Sequence, residues 1–360
     1  MNTRQAKETA RAWVGANANA WPGLRAAHLV GGITSLLDEA PFPATKAVDV
    51  HLIFAGGSPA LEASGPFPNI LEVAYGGLAI EAGIKSDADY ASPEAVLANP
   101  EIAYHLTVDS VLVDPRGWLQ AMQEPVRRDY RRRKWVLARL KHERSGFARA
   151  LVLLRETGAT WGASGDVNIL GYTTTFLAAA LAVATLNPPR IGGRVLMHLR
   201  DLLAGQARLD LHEEILDLLG VRHGAPERVQ QLLREGAEAF DLALELRQIP
   251  HPFIPGEHKL HPHLRPYLVD ASRDMIAEGS HREALPWIAA LSLVTTDLIL
   301  LAAPEAKRPK FAARRAALIR ELGFDSEAAR AAKVEGMTCL GERVFALADQ
   351  MAAENPAISN

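Results

Sequence analysis

Residues 30–54 read VGGITSLLDEAPFPATKAVDVHLIF, and this stretch decides the fold. It begins with a Gly31-Gly32 turn followed by small hydroxyl residues, and such a turn lets backbone N–H groups converge on an anion. It ends in a run of alternating character, which predicts a strand with Asp49 and His51 on one face. A core strand has no need of a carboxylate beside an imidazole, so the stretch predicts either a functional site or solvent-facing polar positions on the sheet.

A second predicted strand, Asn69–Tyr75, carries Glu72 within an apolar run. Together the two strands and the turn resemble the nucleotidyltransferase superfamily, in particular its antibiotic (kanamycin- and lincosamide-type) members. In that family a Gly-Gly or Gly-Ser turn precedes a strand with two alternating carboxylates, and a third carboxylate lies on a following strand. Gly31 and Gly32 match the turn, Asp49 matches the strand, and Glu72 matches the third carboxylate.

The chain departs from the family pattern at one metal ligand. In the register that fits best, the first carboxylate of the pair falls on Ala47, and the serine before it falls on Lys46. If Asp49 is taken as the first member, the second falls on His51, and imidazole suits softer metals than Mg²⁺. Ala47 therefore favours an alternative, a catalytically inactive nucleotide-binding or regulatory relative, and whether the chain is an enzyme stays open.

The resemblance implies an enzyme that transfers a nucleoside monophosphate from a nucleoside triphosphate, ATP as first choice, to a hydroxyl of a small molecule such as an aminoglycoside-like acceptor. Mg²⁺ would be the cofactor. Asp49 and Glu72 would be both the catalytic and the metal-binding residues, and we expect them on neighbouring strands with their carboxylates facing one cleft. The residues that the resemblance assigns to nucleotide binding are Gly31, Gly32 and Ser35. We expect the nucleotide and the acceptor as partners, with a homodimer as one option for assembly.

The fold class follows from where the strands stop. The alternation of apolar and polar residues that predicts strands ends at Val113, and an Asp-Pro-Arg-Gly turn follows at residues 114–117. From Trp118 onward the pattern is helical and is broken by Gly and Pro. Strands followed by helices predict an α+β protein with two domains. We expect a small mixed β-sheet, nucleotidyltransferase-like domain in residues 1–117 and an all-α helical bundle in residues 118–360.

Composition limits the remaining options. The chain has 360 residues, of which 48% are hydrophobic and 22% charged, as in ordinary globular proteins. A net charge of -3 gives no reason to expect nucleic acid as a partner. The lone Cys339 suits a reducing compartment, and the first 20 residues lack the apolar core of a signal peptide, so we expect a cytoplasmic protein. The uncharged run at residues 169–186 is interpreted as a bundle helix rather than a membrane span.

Three further features are not assigned to the site. The basic run at residues 127–134 is interpreted as a solvated helix, with contact to a triphosphate as the alternative. The loop from His251 to His263 matches no zinc pattern and reads as a connector. Ser280 and Glu283 predict a capping box at a helix start, although Glu283 is also a candidate general base by family resemblance.

Overall fold

The computed structural model describes residues 1–56, 70–189, 192–252, 254 and 256–360, and the side chains of residues 157–161 and 258 are not described. The chain divides into two compact units. The first contains Met1–Glu143, Ala182–Arg190 and Ala348–Asn360, and the second contains Arg144–Leu181 and Ile191–Leu347. The first unit therefore continues past the boundary predicted at residue 117 and takes in two later segments.

The strands are β1 (Leu24–Val30), β2 (Val48–Phe54), β3 (Ile70–Tyr75), β4 (Leu78–Ser86) and β5 (Val111–Val113). The helices are α1 (Thr3–Asn17), α2 (Pro93–Ala98), α3 (Pro100–Ala103), α4 (Trp118–Asp129), α5 (Arg133–Thr185), α6 (Val195–Ala204), α7 (Leu209–Leu218), α8 (Pro226–Leu246), α9 (Ala271–Ala277), α10 (His281–Ala302), α11 (Arg308–Glu321) and α12 (Glu327–Glu354). Gly162 has non-helical dihedrals (φ 57°, ψ -159°), so α5 consists of two helical segments.

The five strands form one mixed sheet in the order β3-β4-β2-β1-β5. The pair β2–β4 is parallel and the other pairs are antiparallel. Within the described residues, no strand follows β5. The predicted α+β class, with a small mixed sheet followed by helices, is confirmed. The predicted strand at residues 69–75 is β3, although Asn69 itself lies outside the described residues.

One face of the sheet is apolar and packs against α1. Val48, Val50 and Leu52 of β2 are fully buried in the same cluster as Ala10 and Val14 of α1. The helix begins at a capping box. The Asn2 side chain accepts from the backbone N–H of Gln5, and the Gln5 side chain accepts from the backbone N–H of Asn2. Burial of apolar area contributes about 25 cal/mol per Å², so this face stabilises the sheet.

Part of the opposite face is covered by the short helices that follow β4. Ile53 and Ala26 pack there with residues of α2, α3 and α4. The fully buried Arg139 of α5 joins these helices by donating to the carbonyls of Leu97 and Tyr130, at 2.9 and 2.8 Å. Both carbonyls lie at helix C-termini, which carry partial negative charge and so stabilise the buried guanidinium.

The second unit is helical in its described part. Its helices α8, α10 and α11 share a core that contains Phe311 and Ile299. By length and composition, Gly162–Thr185 and His281–Ala302 could each cross a membrane, but a core helix passes the same test. The most apolar windows of these two helices are 72% and 61% buried inside the structure, respectively. They are therefore weak evidence for a membrane protein.

The capping box predicted at the start of α10 is not formed. Ser280 is the N-cap residue, but its side chain makes no capping hydrogen bond. The Arg200 guanidinium donates instead to the Glu283 carboxylate at 3.1 Å and contacts the Ser280 hydroxyl at 3.4 Å. A charged donor outcompetes a backbone N–H for a carboxylate, because charge-assisted hydrogen bonds are the stronger ones.

Candidate functional site

The Gly31-Gly32 turn packs directly against the carboxylate of Asp49. Gly31 has a φ of +66°, and a Cβ added there would lie 2.0 Å from Oδ2 of Asp49. The two residues meet because Val30, at the end of β1, pairs with Asp49 on β2. Only glycine fits both the positive φ and the close approach. The turn and the carboxylate that the sequence predicted as parts of one site are therefore adjacent.

The turn is a short 3₁₀ helix, Gly31–Ser35, closed by its own hydroxyl groups. The Thr34 hydroxyl donates to the Gly31 carbonyl at 2.8 Å, and the Ser35 hydroxyl donates to the Gly32 carbonyl at 3.0 Å. The predicted role of Ser35 in nucleotide binding stays a prediction, and it would require this hydroxyl to leave the Gly32 carbonyl. The backbone of the turn needs no such change.

Three carboxylates form a row across three strands. Asp49 on β2 pairs with Glu81 on β4, and Glu81 pairs with Glu72 on β3. Residues directly opposite each other share a face, with Cβ atoms about 4.5–5.5 Å apart. Asp49 and Glu72 therefore share one face, but the prediction that they lie on neighbouring strands is wrong because β4 runs between them.

Glu81 is the carboxylate that sequence reasoning missed. Its strand alternates apolar and polar positions, and it follows a tight turn at Gly76 and Gly77, both with positive φ. This is the signal of a hairpin, and it was available in the sequence. The weak propensity of Ala82 and Gly83 for strands hides it. The row of carboxylates cannot be built without this strand.

A second row, next to the carboxylates, is made of rings. His28, His51 and Gly83 are opposite one another on β1, β2 and β4. The Tyr90 hydroxyl lies between the two imidazoles, 2.8 Å from Nε2 of His28 and 3.0 Å from Nδ1 of His51. His28 Nδ1 is 3.0 Å from the Leu29 carbonyl. The imidazole of His51 lies over Gly83, where an added Cβ would be 3.3 Å from Cδ2 and 3.7 Å from Nε2.

Burial keeps these rings uncharged. It lowers the pKa of His28 from 6.5 to about 4, although the bond to the Leu29 carbonyl acts in the opposite direction. The pKa of His51 is well below its usual value, through burial first and then through the nearby His28 and Lys85. Burial also raises the pKa of Tyr90 well above 10. Desolvation disfavours the charged form in each case.

The glycine turn is tied to the ring row through a third imidazole. His105 Nδ1 lies 3.0 Å from the Thr34 hydroxyl, which itself donates to the Gly31 carbonyl. His105 is 3% exposed, and burial lowers its pKa to about 3, with a smaller effect from His28. The Thr34 hydroxyl has one proton, so it accepts from His105 Nδ1–H. The turn is thus held from behind by a neutral ring.

The donor set fits a divalent cation only in part. Asp49 and Glu81 offer carboxylate oxygens on adjacent strands and the same face, which is what Mg²⁺ requires. The second alternating position of β2 offers the His51 nitrogen instead. Within the described residues, no group of three or more His, Cys, Asp or Glu side chains is placed to hold a metal ion.

The remaining features that the sequence singled out lie elsewhere. Glu283 belongs to the second unit, where its carboxylate is 3.8 Å from Nε2 of His212. In the His-rich loop, His261 accepts from the Arg247 guanidinium at 3.2 Å, and His258 lies outside the described side chains. In the basic run, Arg128 pairs with the adjacent Asp129.

No known family model matches the chain, and no curated protein matches it. Among solved structures, the chain is similar to a nucleotidyltransferase-like protein from Exiguobacterium sibiricum 255-15. The two are 13% identical over 76% of this chain and 92% of that chain, with a TM-score of 0.29. A similarity at this level carries no argument about function, so the site must be judged on its own geometry.

Proposed function

We propose that the first unit binds a nucleoside triphosphate at the Gly31-Gly32 turn and transfers its nucleoside monophosphate to a hydroxyl of a small molecule. One observation carries the proposal: the Asp49 carboxylate packs directly against Gly31. A phosphate at the backbone N–H groups of the turn would lie beside a group able to hold a cation. Phosphoryl transfer needs this combination of an anion cradle and a positioned cation.

Asp49 and Glu81 would hold the cation, with Glu72 at the far end of the row. When bound, a divalent cation neutralises charge on the leaving phosphate groups. The protein would position the triphosphate through the turn and keep the polar row rigid through the rings behind it. The sequence resemblance supports the nucleotidyltransferase superfamily, and an antibiotic-type acceptor rests on that resemblance alone.

The second candidate is a nucleotide-binding protein without transfer activity. Ala47 favours it, because this residue stands two positions before Asp49, where the family has a carboxylate that bridges two cations. Two divalent ions about 4 Å apart need several anionic ligands to offset their repulsion. A single cation carried in with the triphosphate needs fewer, so nucleotide binding with weak transfer is the expected behaviour of this candidate.

Nucleotide affinity tests the shared part of both candidates. Calorimetry with each nucleoside triphosphate, with and without Mg²⁺, should show Mg²⁺-dependent binding that Asp49→Ala weakens and Ala47→Asp strengthens. His51→Ala should matter less with Mg²⁺, and Asp325→Ala, an exposed aspartate in the second unit, is the matched control. Unchanged affinity in both Ala47→Asp and Asp49→Ala would rule out the site.

Pyrophosphate release in the presence of hydroxyl acceptors separates the two candidates. If the chain is a transferase, the wild-type protein releases pyrophosphate, and the rate of release falls in Asp49→Ala. The non-transferring candidate binds nucleotide without release, and Ala47→Asp should restore some release by completing the carboxylate pair. Release that is insensitive to Asp49→Ala would place the chemistry elsewhere.

A further inference from the structure

The Gly31-Gly32 turn depends on hydrogen bonds for its shape. Glycine has more backbone freedom than any other residue, and here two glycines are adjacent. The Asp49 carboxylate packs against Gly31, but a Cβ added at Gly32 would meet open space. Packing therefore confines the first glycine and leaves the second to be held by other means.

Two hydrogen bonds in series supply that restraint. The Thr34 hydroxyl donates to the Gly31 carbonyl at 2.8 Å and accepts from Nδ1–H of His105 at 3.0 Å. The Gly31 carbonyl and the Gly32 N–H belong to one planar trans peptide and point in opposite directions. Because the carbonyl is fixed towards Thr34, the Gly32 N–H is fixed on the side of the turn that faces away from Thr34.

The surroundings of His105 suit a rigid anchor. The residue is 3% exposed, and Leu106, which follows it, is fully buried in the apolar cluster of α2, α3 and α4. The Tyr104 ring meets the imidazole edge-on, with ring centroids 5.6 Å apart. Burial lowers the pKa of His105 to about 3, so the ring is neutral near pH 7 and has a single N–H. That N–H is the one that the Thr34 hydroxyl accepts.

We propose that His105 is a positioning residue of the nucleotide site, which acts through Thr34 to hold the Gly31–Gly32 peptide in the orientation that offers the Gly32 N–H to a phosphate group. The inference rests on the proposed function, because it names a residue that supports the same turn. A reversed peptide would present the Gly31 carbonyl to the phosphate instead, and two electronegative groups repel each other. His105 thus contributes orientation and no charge.

The position of the donor nitrogen can be tested at residue 105 itself. An asparagine amide nitrogen can occupy the place of imidazole Nδ1, whereas a glutamine amide nitrogen reaches the place of Nε2. His105→Asn should therefore keep the affinity for Mg²⁺-ATP within about twofold of wild type, since the donor is retained. His105→Gln should weaken it by about 3- to 10-fold, the loss expected for one neutral hydrogen bond. Calorimetry measures the affinity, and urea denaturation measures the stability of both variants. A merely structural role would lower stability in both and leave their affinities equal.

A second pair of variants leaves the buried ring in place. Thr34→Val keeps the shape of the side chain without its hydroxyl, and Thr34→Ser keeps the hydroxyl. We expect Thr34→Val to weaken Mg²⁺-ATP binding by about 3- to 10-fold and Thr34→Ser to bind as wild type does. Thr175→Val is the matched control, because the Thr175 hydroxyl also donates to a carbonyl three residues back, that of Tyr172 at 2.7 Å, in the second unit.

The orientation of the peptide is measured without nucleotide, through the backbone amide resonance of Gly32. This resonance should differ between His105→Gln and His105→Asn, which both lack the imidazole ring and its ring current. Identical Gly32 resonances in these two variants would overturn the inference, because the donor at residue 105 would not reach the turn.

Failure of the inference and failure of the proposed function give different results. If the wild-type protein binds Mg²⁺-ATP and both Thr34→Val and His105→Gln bind it within about twofold of wild type, the inference is overturned and the proposed function stands. If the wild-type protein binds no nucleoside triphosphate, both are overturned. Weakened binding in Thr34→Val and His105→Gln, with binding retained in Thr34→Ser and His105→Asn, is the result expected if both hold.

Discussion

The two faces of the sheet are built from the same strands but from different chemistry. On β2, the face towards α1 presents Val48, Val50 and Leu52, each fully buried against apolar neighbours. The other face presents Asp49 and His51, which meet a glycine turn and a tyrosine hydroxyl. Because side chains alternate along a strand, a slip of one residue would exchange these faces completely.

The comparison shows how stability and chemistry are separated in this unit. The stabilisation that the apolar face contributes does not depend on the side chains of the polar face, since the two faces share only the backbone. The polar face contains like charges opposite each other and buried neutral rings, which are costly features. Such features are expected where a protein departs from local folding rules for the sake of function.

The largest effect should follow damage to the apolar face. Leu52→Ala removes a fully buried side chain and should lower the free energy of unfolding by about 2–5 kcal/mol, through lost transfer free energy and a cavity. Urea denaturation measures it. The control is Leu37→Ala, because Leu37 is 80% exposed and its loss should cost less than about 0.5 kcal/mol. Similar costs for both would show that the apolar face is not where stability resides.

How much of this could be predicted depends on whether the information is local. The alternation of β2 and the turn at Gly31 are local, and both predictions hold. The position of β4 between β2 and β3 depends on pairing between strands, which one sequence does not encode in any local pattern. The sequence therefore predicts Asp49 as the neighbour of Glu72, whereas Glu72 pairs with Glu81.

The ring row was missed for a related reason. His28 and Tyr90 are 62 residues apart, and each looks like an ordinary residue in its own segment. His51 was noticed, but as a poor replacement for a carboxylate. Only the shared hydrogen bonds to Tyr90 reveal that His51 belongs to a buried row of rings. Side-chain pairing over such distances follows from the tertiary fold, and no period in the sequence reports it.

The polar face should make stability fall in mild acid. Between the unfolded pKa of 6.5 and the folded pKa of about 4, His28 is protonated in the unfolded chain but stays neutral when it is buried in the folded protein. The His28 contribution is therefore complete above pH 6.5 and is lost as pH falls towards 4, at about 1.4 kcal/mol per pH unit. Unfolding free energies at pH 7 and 5 for wild type and His28→Gln measure it.

The difference between the two proteins is the quantity to compare, because other groups titrate as well. Burial and the nearby Glu101 raise the pKa of Glu143 to about 8, which gives the opposite slope, with stability lost as pH rises from its usual pKa towards 8. Glu143 is present in both proteins and cancels. The same pH dependence with and without His28 would contradict a buried neutral imidazole on the polar face.

A smaller effect should separate the two glycines of the turn. Gly31→Ala forces a positive φ on an alanine, at about 1–2 kcal/mol, and displaces the Asp49 carboxylate. Gly32→Ala places its Cβ in open space and should be neutral or slightly stabilising. Thermal unfolding and Mg²⁺-dependent nucleotide affinity measure both. If Gly32→Ala weakened nucleotide binding as much as Gly31→Ala, the contact with Asp49 would not be what matters.

The smallest effect on stability, and the sharpest test of the polar face, is expected from Gly83→Ala. The residue has ordinary strand dihedrals, so alanine gains about 0.5–1 kcal/mol by restricting the unfolded chain. Against this, the new Cβ would lie 3.3 Å from Cδ2 of His51, a contact that needs a shift of a few tenths of an ångström. The Tyr90 hydroxyl holds the other side of the ring, so the shift must stretch that hydrogen bond. We expect the two effects to leave the free energy of unfolding within about 1 kcal/mol of wild type.

The His51 ring resonances should nevertheless move in Gly83→Ala, while those of His223 stay unchanged. Unmoved His51 resonances would mean that the ring is not confined between Gly83 and Tyr90.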